Sequence, residues 1–306
     1  FGGRPNRCYA YHSLDEKPDS TKRHRVYALW SPDSKHFVLT HRADSILSKM
    51  WVINSLSTPR PKLETYYYQM PGEETPKTTI ELFDFENKTS RMVNADRFKH
   101  QRITLFRKPS THASNYNIPN STVWLGDEKG FYFERISRDM KKIELCYAPV
   151  DCDTAKAIVR EQMNTSIESK QPRFVNGGKQ FIQWSERTGW AMLYLYNADG
   201  TLVNPITKGA FHVENVVAVN ETEGKVYFTA CGYNKGENPY YMHLYSINFD
   251  GSGMTQLDEG DMNMSYCSAA ENGEAFVVTA SRVDTAPVNL VYNKLGEKSV
   301  ELGTAD

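Results

Sequence analysis

The tightest constraint on this chain is self-similarity at a period of nearly fifty residues. A glycine-bearing turn followed by an alternating apolar strand recurs along it. The turns at Gly130, Gly177, Gly224 and Gly273 are separated by 47, 47 and 49 residues. They lead into Phe131-Tyr132-Phe133, Phe181-Ile182-Gln183-Trp184, Val226-Tyr227-Phe228 and Phe276-Val277-Val278. An earlier copy, Trp30-Ser31-Pro32-Asp33-Ser34-Lys35 before His36-Phe37-Val38-Leu39-Thr40, sits close to two periods upstream of Gly130. Each period then carries a second strand that runs into its own tight turn, as in Leu193-Tyr194-Leu195-Tyr196-Asn197-Ala198-Asp199-Gly200 and Leu244-Tyr245-Ser246-Ile247-Asn248-Phe249-Asp250-Gly251. Asp-Gly between alternating strands is a hairpin signal, with φ > 0 expected at both turn positions. Two hairpins per period make four strands, and four-stranded units of ~40–50 residues are the blades of a β-propeller.

The fold expected is therefore all-β: a β-propeller of four-stranded blades, with about six periods between Val26 and the end. Residues 1–306 are expected to form a single propeller domain. The stretch Asp153 to Met163 has helical composition but follows a hairpin at Asp151, and is read as strand and turn. One segment breaks the rhythm. Pro59-Arg60-Pro61-Lys62-Leu63-Glu64-Thr65-Tyr66-Tyr67-Tyr68-Gln69-Met70-Pro71-Gly72-Glu73 is longer than a blade turn requires. Its X-Pro units favour extended backbone, and it reads as a strand extension crossing from one blade to the next.

Composition narrows the function classes. Among 306 residues, 36 Lys and Arg balance 37 Asp and Glu, for a net charge of −1. Such a chain has no electrostatic case for wrapping nucleic acid or an anionic membrane surface. No run approaches the ~18 apolar residues of a membrane helix. The five cysteines form no C-x-x-C pair and are read as small buried residues. No G-x-S-x-G nucleophile elbow, P-loop or G-x-G-x-x-G is present, and no histidine pair has zinc-binding spacing, so no metal or cofactor is expected. His212 and His243 fall in strand contexts, where packing or hydrogen bonding is the usual role. Acidic neighbours that could do acid–base work or hold a cation are Asp15-Glu16, Glu73-Glu74 and Asp258-Glu259-x-Asp261.

Several stretches, taken in order, resemble a known family. Trp30-Ser31-Pro32-Asp33-Ser34 is followed by Trp51-Val52-Ile53-Asn54, the proline-rich Pro59–Tyr66 and Met70-Pro71-Gly72-Glu73. Trp184-Ser185-Glu186-Arg187-Thr188-Gly189-Trp190 and Ile206-Thr207-Lys208-Gly209-Ala210-Phe211-His212-Val213 come next. His243-Leu244-Tyr245 with Asp250-Gly251 completes the order. Together they resemble the N-terminal propeller of dipeptidyl peptidase IV-type enzymes of the prolyl oligopeptidase superfamily, from roughly Arg25 to Asp306.

That resemblance implies a propeller of seven or eight blades in the parent, which would continue into a C-terminal α/β-hydrolase domain bearing a Ser-Asp-His triad. The propeller would limit access to oligopeptide substrates and hold their free N-terminal amine with acidic groups, so that dipeptides are released. A charge-assisted contact to the ammonium fixes the register of cleavage. The chain alone would be inactive. A periplasmic or secreted location and a homodimer are implied as well. The family's Glu-Glu anchor has no counterpart in an aromatic context before Trp30, and Asp15, Glu16 and Asp19 are the acidic residues nearest its place. The family's cavity-lining Phe-Arg pair falls at Ile167-Glu168, just before Gln171-Pro172-Arg173-Phe174. Without the resemblance, a non-catalytic binding or scaffold propeller, or a propeller glycosidase or lyase with convergent carboxylates, would fit the same repeats.

Overall fold

The computed structural model describes residues 7–8, 26, 28–43, 45–106, 124 and 129–304. Among them there are strands, turns and two short 3-10 turns, but no α-helix. The chain divides into two compact units, residues 1–166 and 167–306.

In the first unit the strands are β1 (Arg7–Cys8), β2 (Leu29–Trp30), β3 (His36–Ala43), β4 (Lys49–Asn54), β5 (Lys62–Tyr67), β6 (Lys77–Asp84), β7 (Thr89–Val93), β8 (Arg102–Leu105), β9 (Gly130–Ile136), β10 (Lys142–Pro149) and β11 (Lys156–Gln162). One sheet runs β1-β3-β6-β7, with β2 sharing the β1 edge of β3. At the β2 end four strands stand side by side, through Leu29↔Val38, Val38↔Leu82 and Leu82↔Arg91. The second sheet runs β11-β10-β9-β8. Leu29, Val38, Ile80 and Leu82 of the first sheet pack with Phe131, Phe133, Cys146 and Ala148 of the second in one core.

The second unit contains β12 (Arg173–Val175), β13 (Gln180–Ser185), β14 (Met192–Asn197), β15 (Leu202–Pro205), β16 (His212–Asn220), β17 (Lys225–Cys231), β18 (Met242–Asn248), β19 (Thr255–Gln256), β20 (Asn263–Ala269), β21 (Ala275–Arg282), β22 (Thr285–Asn293) and β23 (Lys298–Thr304). They form three four-stranded meanders in chain order, β12 to β15, β16 to β19 and β20 to β23. Tyr227 and Leu244 of one meander pack against Phe276, Val278 and Tyr292 of the next. These are the blades of a β-propeller, antiparallel throughout.

Strand patterning follows from position in the blade. The middle strands β13, β14, β17 and β18 are buried at nearly every residue. Strands buried along their whole length read as near-continuous apolar runs and not as alternating ones. The outer strand β15 is mostly exposed. The segment with helical composition is strand β11, paired with β10.

Two expectations need correction. The proline-rich segment does not cross between blades. Its residues Lys62–Tyr67 pair with Lys49–Asn54, from Lys49↔Tyr67 to Asn54↔Lys62, as a two-stranded ribbon. That ribbon is inserted between β3 and β6, which are themselves paired neighbours in one sheet. The Asp-Gly turns are also not turns with φ > 0 at both central positions. In the Asp199-Gly200 and Asp250-Gly251 turns, and in the Leu295-Gly296 turn of the last blade, the glycine is the central residue with positive φ, at 88°, 86° and 83°. All three turns share one bonding scheme: Gly200 N–H to Asn197 C=O, and Asn197 N–H to Thr201 C=O, with the same pair at Asn248–Ser252 and Asn293–Glu297. This is the three-residue hairpin loop with a left-handed residue last. Asp199 and Asp250 keep negative φ and accept the N–H of Thr201 and Ser252, at 2.8 and 2.9 Å.

Of the cysteines, Cys146 is buried, Cys231 and Cys267 are half-buried and Cys152 is exposed, all four as free thiols. Among these four, the reading as small buried residues holds for Cys146 alone.

Candidate functional site

The functional candidate grows out of an irregularity in β16. Pairing with β17 runs His212↔Cys231 and Val213↔Ala230, then resumes at Asn215↔Thr229. Glu214 is the extra residue of a β-bulge. Bulges unpair backbone groups and re-aim side chains, and each freed group must find a partner. The Asn215 N–H donates to Thr229 Oγ1 at 3.2 Å. The Val213 carbonyl accepts from the Trp184 indole Nε1 at 2.7 Å. The Glu214 carbonyl accepts from the Lys170 ammonium.

That ammonium is held on several sides. Lys170, from the segment before β12, also donates to Glu214 Oε1 at 2.8 Å and Asn215 Oδ1 at 3.3 Å. It lies 4.9 Å from the ring centroid of Trp184 on β13. A cation over an indole face is attracted by the ring quadrupole. The other carboxylate oxygen, Glu214 Oε2, is 3.1 Å from His212 Nε2, and the His212 ring meets Trp184 edge-on at 6.3 Å. The Lys170 hydrogen bond, then its charge and the contact with His212, hold the Glu214 carboxyl below its ordinary pKa. The side chains of Lys170, Glu214 and His212 are 20%, 39% and 32% exposed, so water and small solutes reach the cluster.

This arrangement can bind a cation, and the free thiol of Cys231 lies on the register partner of His212. Ser185, nearby on β13, is 1% exposed, and its Oγ accepts from the Arg187 backbone N–H and Nε at 3.2 and 3.0 Å. Arg187 in turn stacks 4.2 Å over the Tyr194 ring and donates to the Tyr196 hydroxyl.

A second charged network sits in the same unit. His243 on β18 is 1% exposed. Its Nδ1 is 2.9 Å from Asp258 Oδ2 and its Nε2 is 2.9 Å from Glu237 Oε1. Asp258 Oδ1 also accepts the Leu244 N–H at 2.8 Å, and Glu237 Oε2 accepts from Asn234 Nδ2 at 3.0 Å. Burial works against a charge on His243. The hydrogen bond and charge of Asp258, with Glu237 behind it, outweigh burial and raise the pKa above the ordinary histidine value. With its imidazole closed off from solvent, this network fastens the Gly232–Tyr241 loop rather than receiving a ligand.

The residues singled out in the sequence fare differently. Asp15, Glu16 and Asp19 lie outside the described residues. Ile167 is 1% exposed, packed away from solvent, while its neighbour Glu168 is exposed two residues before Lys170. Glu73 caps a local turn by accepting the Met70 N–H at 2.8 Å, and Glu74 pairs with Lys99 and His100, each at 3.2 Å. The Asp258-Glu259-x-Asp261 cluster is split, with Asp258 buried on His243 and Asp261 3.0 Å from Arg282. Among the described residues no group of three or more His, Cys, Asp and Glu is disposed to hold a metal ion. Glu214 and Lys170 were not flagged by the sequence. The His212-x-Glu214 spacing hints at the pair, but the bulge that brings in Lys170 and Trp184 leaves no motif.

Comparison with known proteins agrees with this architecture. The chain is 33% identical over 125 residues to dipeptidyl peptidase 4 of Arthroderma otae, a match covering 40% of this chain and 16% of that protein. The corresponding enzyme of Trichophyton rubrum is 32% identical over a match of the same length and coverage. The chain thus matches about a sixth of the length of these relatives. The crystal structure of dipeptidyl peptidase 4 from Porphyromonas gingivalis shares the fold over 91% of this chain and 37% of its own, with a TM-score of 0.73 at 18% identity. Residues 23–287 match the family model of the dipeptidyl peptidase IV (DPP IV) N-terminal region, and the chain with its four-stranded blades belongs to that family.

Proposed function

We propose that this chain is the substrate-gating and N-terminus-recognising propeller of a serine exopeptidase that releases dipeptides from oligopeptides. In this reading the Ser-Asp-His triad resides in a C-terminal α/β-hydrolase domain of the same parent, and the propeller by itself is inactive. The observation that carries the reading is the family match over residues 23–287. The absence of G-x-S-x-G from the sequence is in keeping with it. Asp15, Glu16 and Asp19 are the proposed amine anchors, and Ile167-Glu168 the proposed cavity lining. Of the latter two, Glu168 has the exposed side chain.

The test compares this chain with the longer protein on a chromogenic dipeptidyl substrate. Turnover by the longer protein and none by this chain is expected; robust turnover by the pure chain would overturn the proposal. A triple Asp15→Asn, Glu16→Gln, Asp19→Asn variant of the longer protein should raise KM, and an unchanged KM would remove those three from the anchor.

A homodimer through the β4–β5 ribbon belongs to the same proposal. Trp51, Ile53 and Leu63 on it are 72%, 68% and 63% exposed, and apolar residues clustered on one exposed element mark association surfaces. A Trp51→Ser, Ile53→Ser variant should elute as a monomer where the parent elutes as a dimer; identical elution would refute the contact. Action outside the cytoplasm, in the periplasm or secreted, is likewise proposed, and cell fractionation would check it.

A further inference from the structure

We propose that the Gly232–Tyr241 loop is a pH-operated strap. Protonated His243 holds it down onto its blade through Glu237, and loss of a single proton on the alkaline side of neutrality frees the loop while the strands beneath it stay folded. This is a conformational device of the blade, and it stands whether or not the parent is a peptidase.

The loop joins β17 to β18, and its fastening runs through one ring. His243 Nε2 meets Glu237 Oε1 of the loop at 2.9 Å, and Nδ1 meets Asp258 Oδ2, just after β19, at 2.9 Å. The imidazolium carries a donor at each nitrogen, whereas neutral imidazole keeps one. On deprotonation one of the two carboxylates must therefore face a lone pair. The two differ in what they can do next. Asp258 is buried and also accepts the Leu244 N–H through Oδ1 at 2.8 Å, so abandoning it would strand a charge in the interior. Glu237 is partly exposed and sits on a loop that belongs to no strand, so it can turn out to water. The proton leaves Nε2, and the Glu237 side opens.

The remaining contacts leave the loop poised. Asn234 Nδ2 bridges Glu237 Oε2 and Gln256 Oε1 at 3.0 and 2.9 Å, and the Tyr233 ring lies edge-on to Tyr245 and Phe211 at 5.5 and 5.2 Å. Against these, the Tyr245 hydroxyl is buried with no hydrogen-bond partner among the described residues. Such a group loses its bonds to water and gains none, so closure carries a penalty that the ion bridge offsets. His243 is the group that titrates. Around it stand Glu237 from the loop, Gln256 and Asp258 from β19 and just beyond, and Tyr245 from β18, ring to ring at 6.5 Å. From β17 it faces Ala230, while Cys267 of β20 and Tyr292 of β22 feel the charge of Asp258. Burial pushes the Tyr245 and Tyr292 phenols up and the Cys267 thiol up to about 12, so these three stay protonated to about pH 9. Burial works against a charge on His243, but the two carboxylates outweigh it and raise its pKa, which places the loss of its proton above about pH 6.5.

The experiment follows amide hydrogen exchange of this chain by NMR from about pH 6 to about pH 9, with rates corrected for the base-catalysed exchange of free amides. The Tyr241 N–H, bonded to the Asn238 carbonyl at 3.0 Å, reports the loop, and the amides of β17 and β18 report the blade. One proton lost per opening makes the open fraction grow about tenfold per pH unit above the midpoint. Tyr241 protection should fall at that slope while β17 and β18 stay protected. Glu237→Gln separates a proton switch from plain packing. Its carboxamide can donate to the bare Nε2 of neutral His243 while its oxygen accepts from Asn234. The loop should then stay shut, with Tyr241 protection at about pH 9 at least about tenfold above the wild type. Constant Tyr241 protection in the wild type would overturn the proposal; with the His243 ring titrating meanwhile, it would show the proton leaving Nδ1, where Gln256 Nε2 lies 3.1 Å away and can donate. Opening of β18 in step with the loop would overturn it too, as would a Glu237→Gln variant that opens as readily as the wild type. If that variant loses its dispersed spectrum, the wild type decides. Tyr241 protection and the His243 ring resonance sharing one midpoint uphold the strap, and midpoints more than about one pH unit apart refute it.

Discussion

His243 offers the sharpest test of how this fold is held together. Its imidazole is closed off from solvent and bridges two carboxylates at 2.9 Å each. The Asp258 side of the bridge is buried and the Glu237 side is 15% exposed. His243→Leu keeps the volume and removes both donors, leaving two carboxylates facing an apolar group. Breaking a buried ion pair by removing one partner costs ~3–5 kcal/mol. Because Glu237 can turn toward water, the lower end applies, about 3 kcal/mol. For a domain of this size that corresponds to a fall in Tm of roughly 6–12 °C.

The pH dependence gives an independent readout. The folded state raises the His243 pKa above the ordinary value, so the native chain holds this proton more tightly than the unfolded one. Its contribution is complete below about pH 6.5, the unfolded value, and is lost as pH climbs through the higher folded pKa. Wild-type stability should therefore decline on the alkaline side of neutrality, and His243→Leu should lack that decline. The difference between the two curves removes the contribution of the other histidines. Thermal melts followed by circular dichroism from about pH 6 to about pH 9 supply both. A variant that melts within about 1 °C of the wild type near pH 6, or a pair of parallel pH curves, would refute the reasoning.

Two further outcomes concern packing and charge elsewhere. Gly251 has φ of +86°, and a Cβ there would lie 2.9 Å from the Ile206 carbonyl oxygen, whereas Gly224, with φ of +64°, has open space around it. Gly251→Ala should cost about 2 kcal/mol or more, and Gly224→Ala about 1, from the left-handed backbone alone; urea titration giving equal losses would contradict the steric account. In the first unit, buried Glu144 accepts Arg135 Nε at 2.7 Å and Arg160 Nε at 3.2 Å. Glu144→Gln should destabilise by about 3 kcal/mol, since it leaves the buried Arg135 guanidinium without its counterion. Arg160→Ala, at an exposed partner, should cost less than about 1 kcal/mol; the reverse order in denaturant titration would rule this out.

The blades were legible because each rests on local chemistry that a sequence displays. A hairpin needs its glycine where φ is positive, and Gly200, Gly251 and Gly296 occupy that place in three successive blades. Strand β11 was legible because the hairpin before it leaves no room for a helix. Less was readable where the deciding partner is distant in sequence. Prolines between residues 59 and 71 announce an irregular segment, but only the pairing of β3 with β6 reveals that it leaves and re-enters the same sheet. The acidic pairs misled for the same reason. Neighbouring carboxylates at Asp258 and Glu259 look like one site, yet strand geometry buries the first on His243. At Ile167-Glu168, too, adjacent residues diverge into core and solvent.

The bulge at Glu214 illustrates how a repeat fold can acquire a site without departing from its repeat. In the next blade, β20 pairs with β21 as Met264↔Ala280 and resumes at Tyr266↔Thr279, so Ser265 is the extra residue. Val213 and Met264, Glu214 and Ser265, and Thr229 and Thr279 are equivalent positions in the two bulges. The distortion thus recurs in these two blades with different residues placed on it, while the short β12–β13 pairing runs without one. What differs is the cargo: Ser265 makes a local hydrogen bond to the Thr279 carbonyl at 3.3 Å, whereas Glu214 reaches a lysine 44 residues away in sequence. Exchanging the two residues separates scaffold from chemistry. Glu214→Ser should keep the bulge, and with it the Asn215 N–H to Thr229 bond seen as slow amide exchange, while releasing Lys170. Loss of amide protection at Asn215 in that variant would mean that the carboxylate makes the bulge, and that blade geometry alone does not.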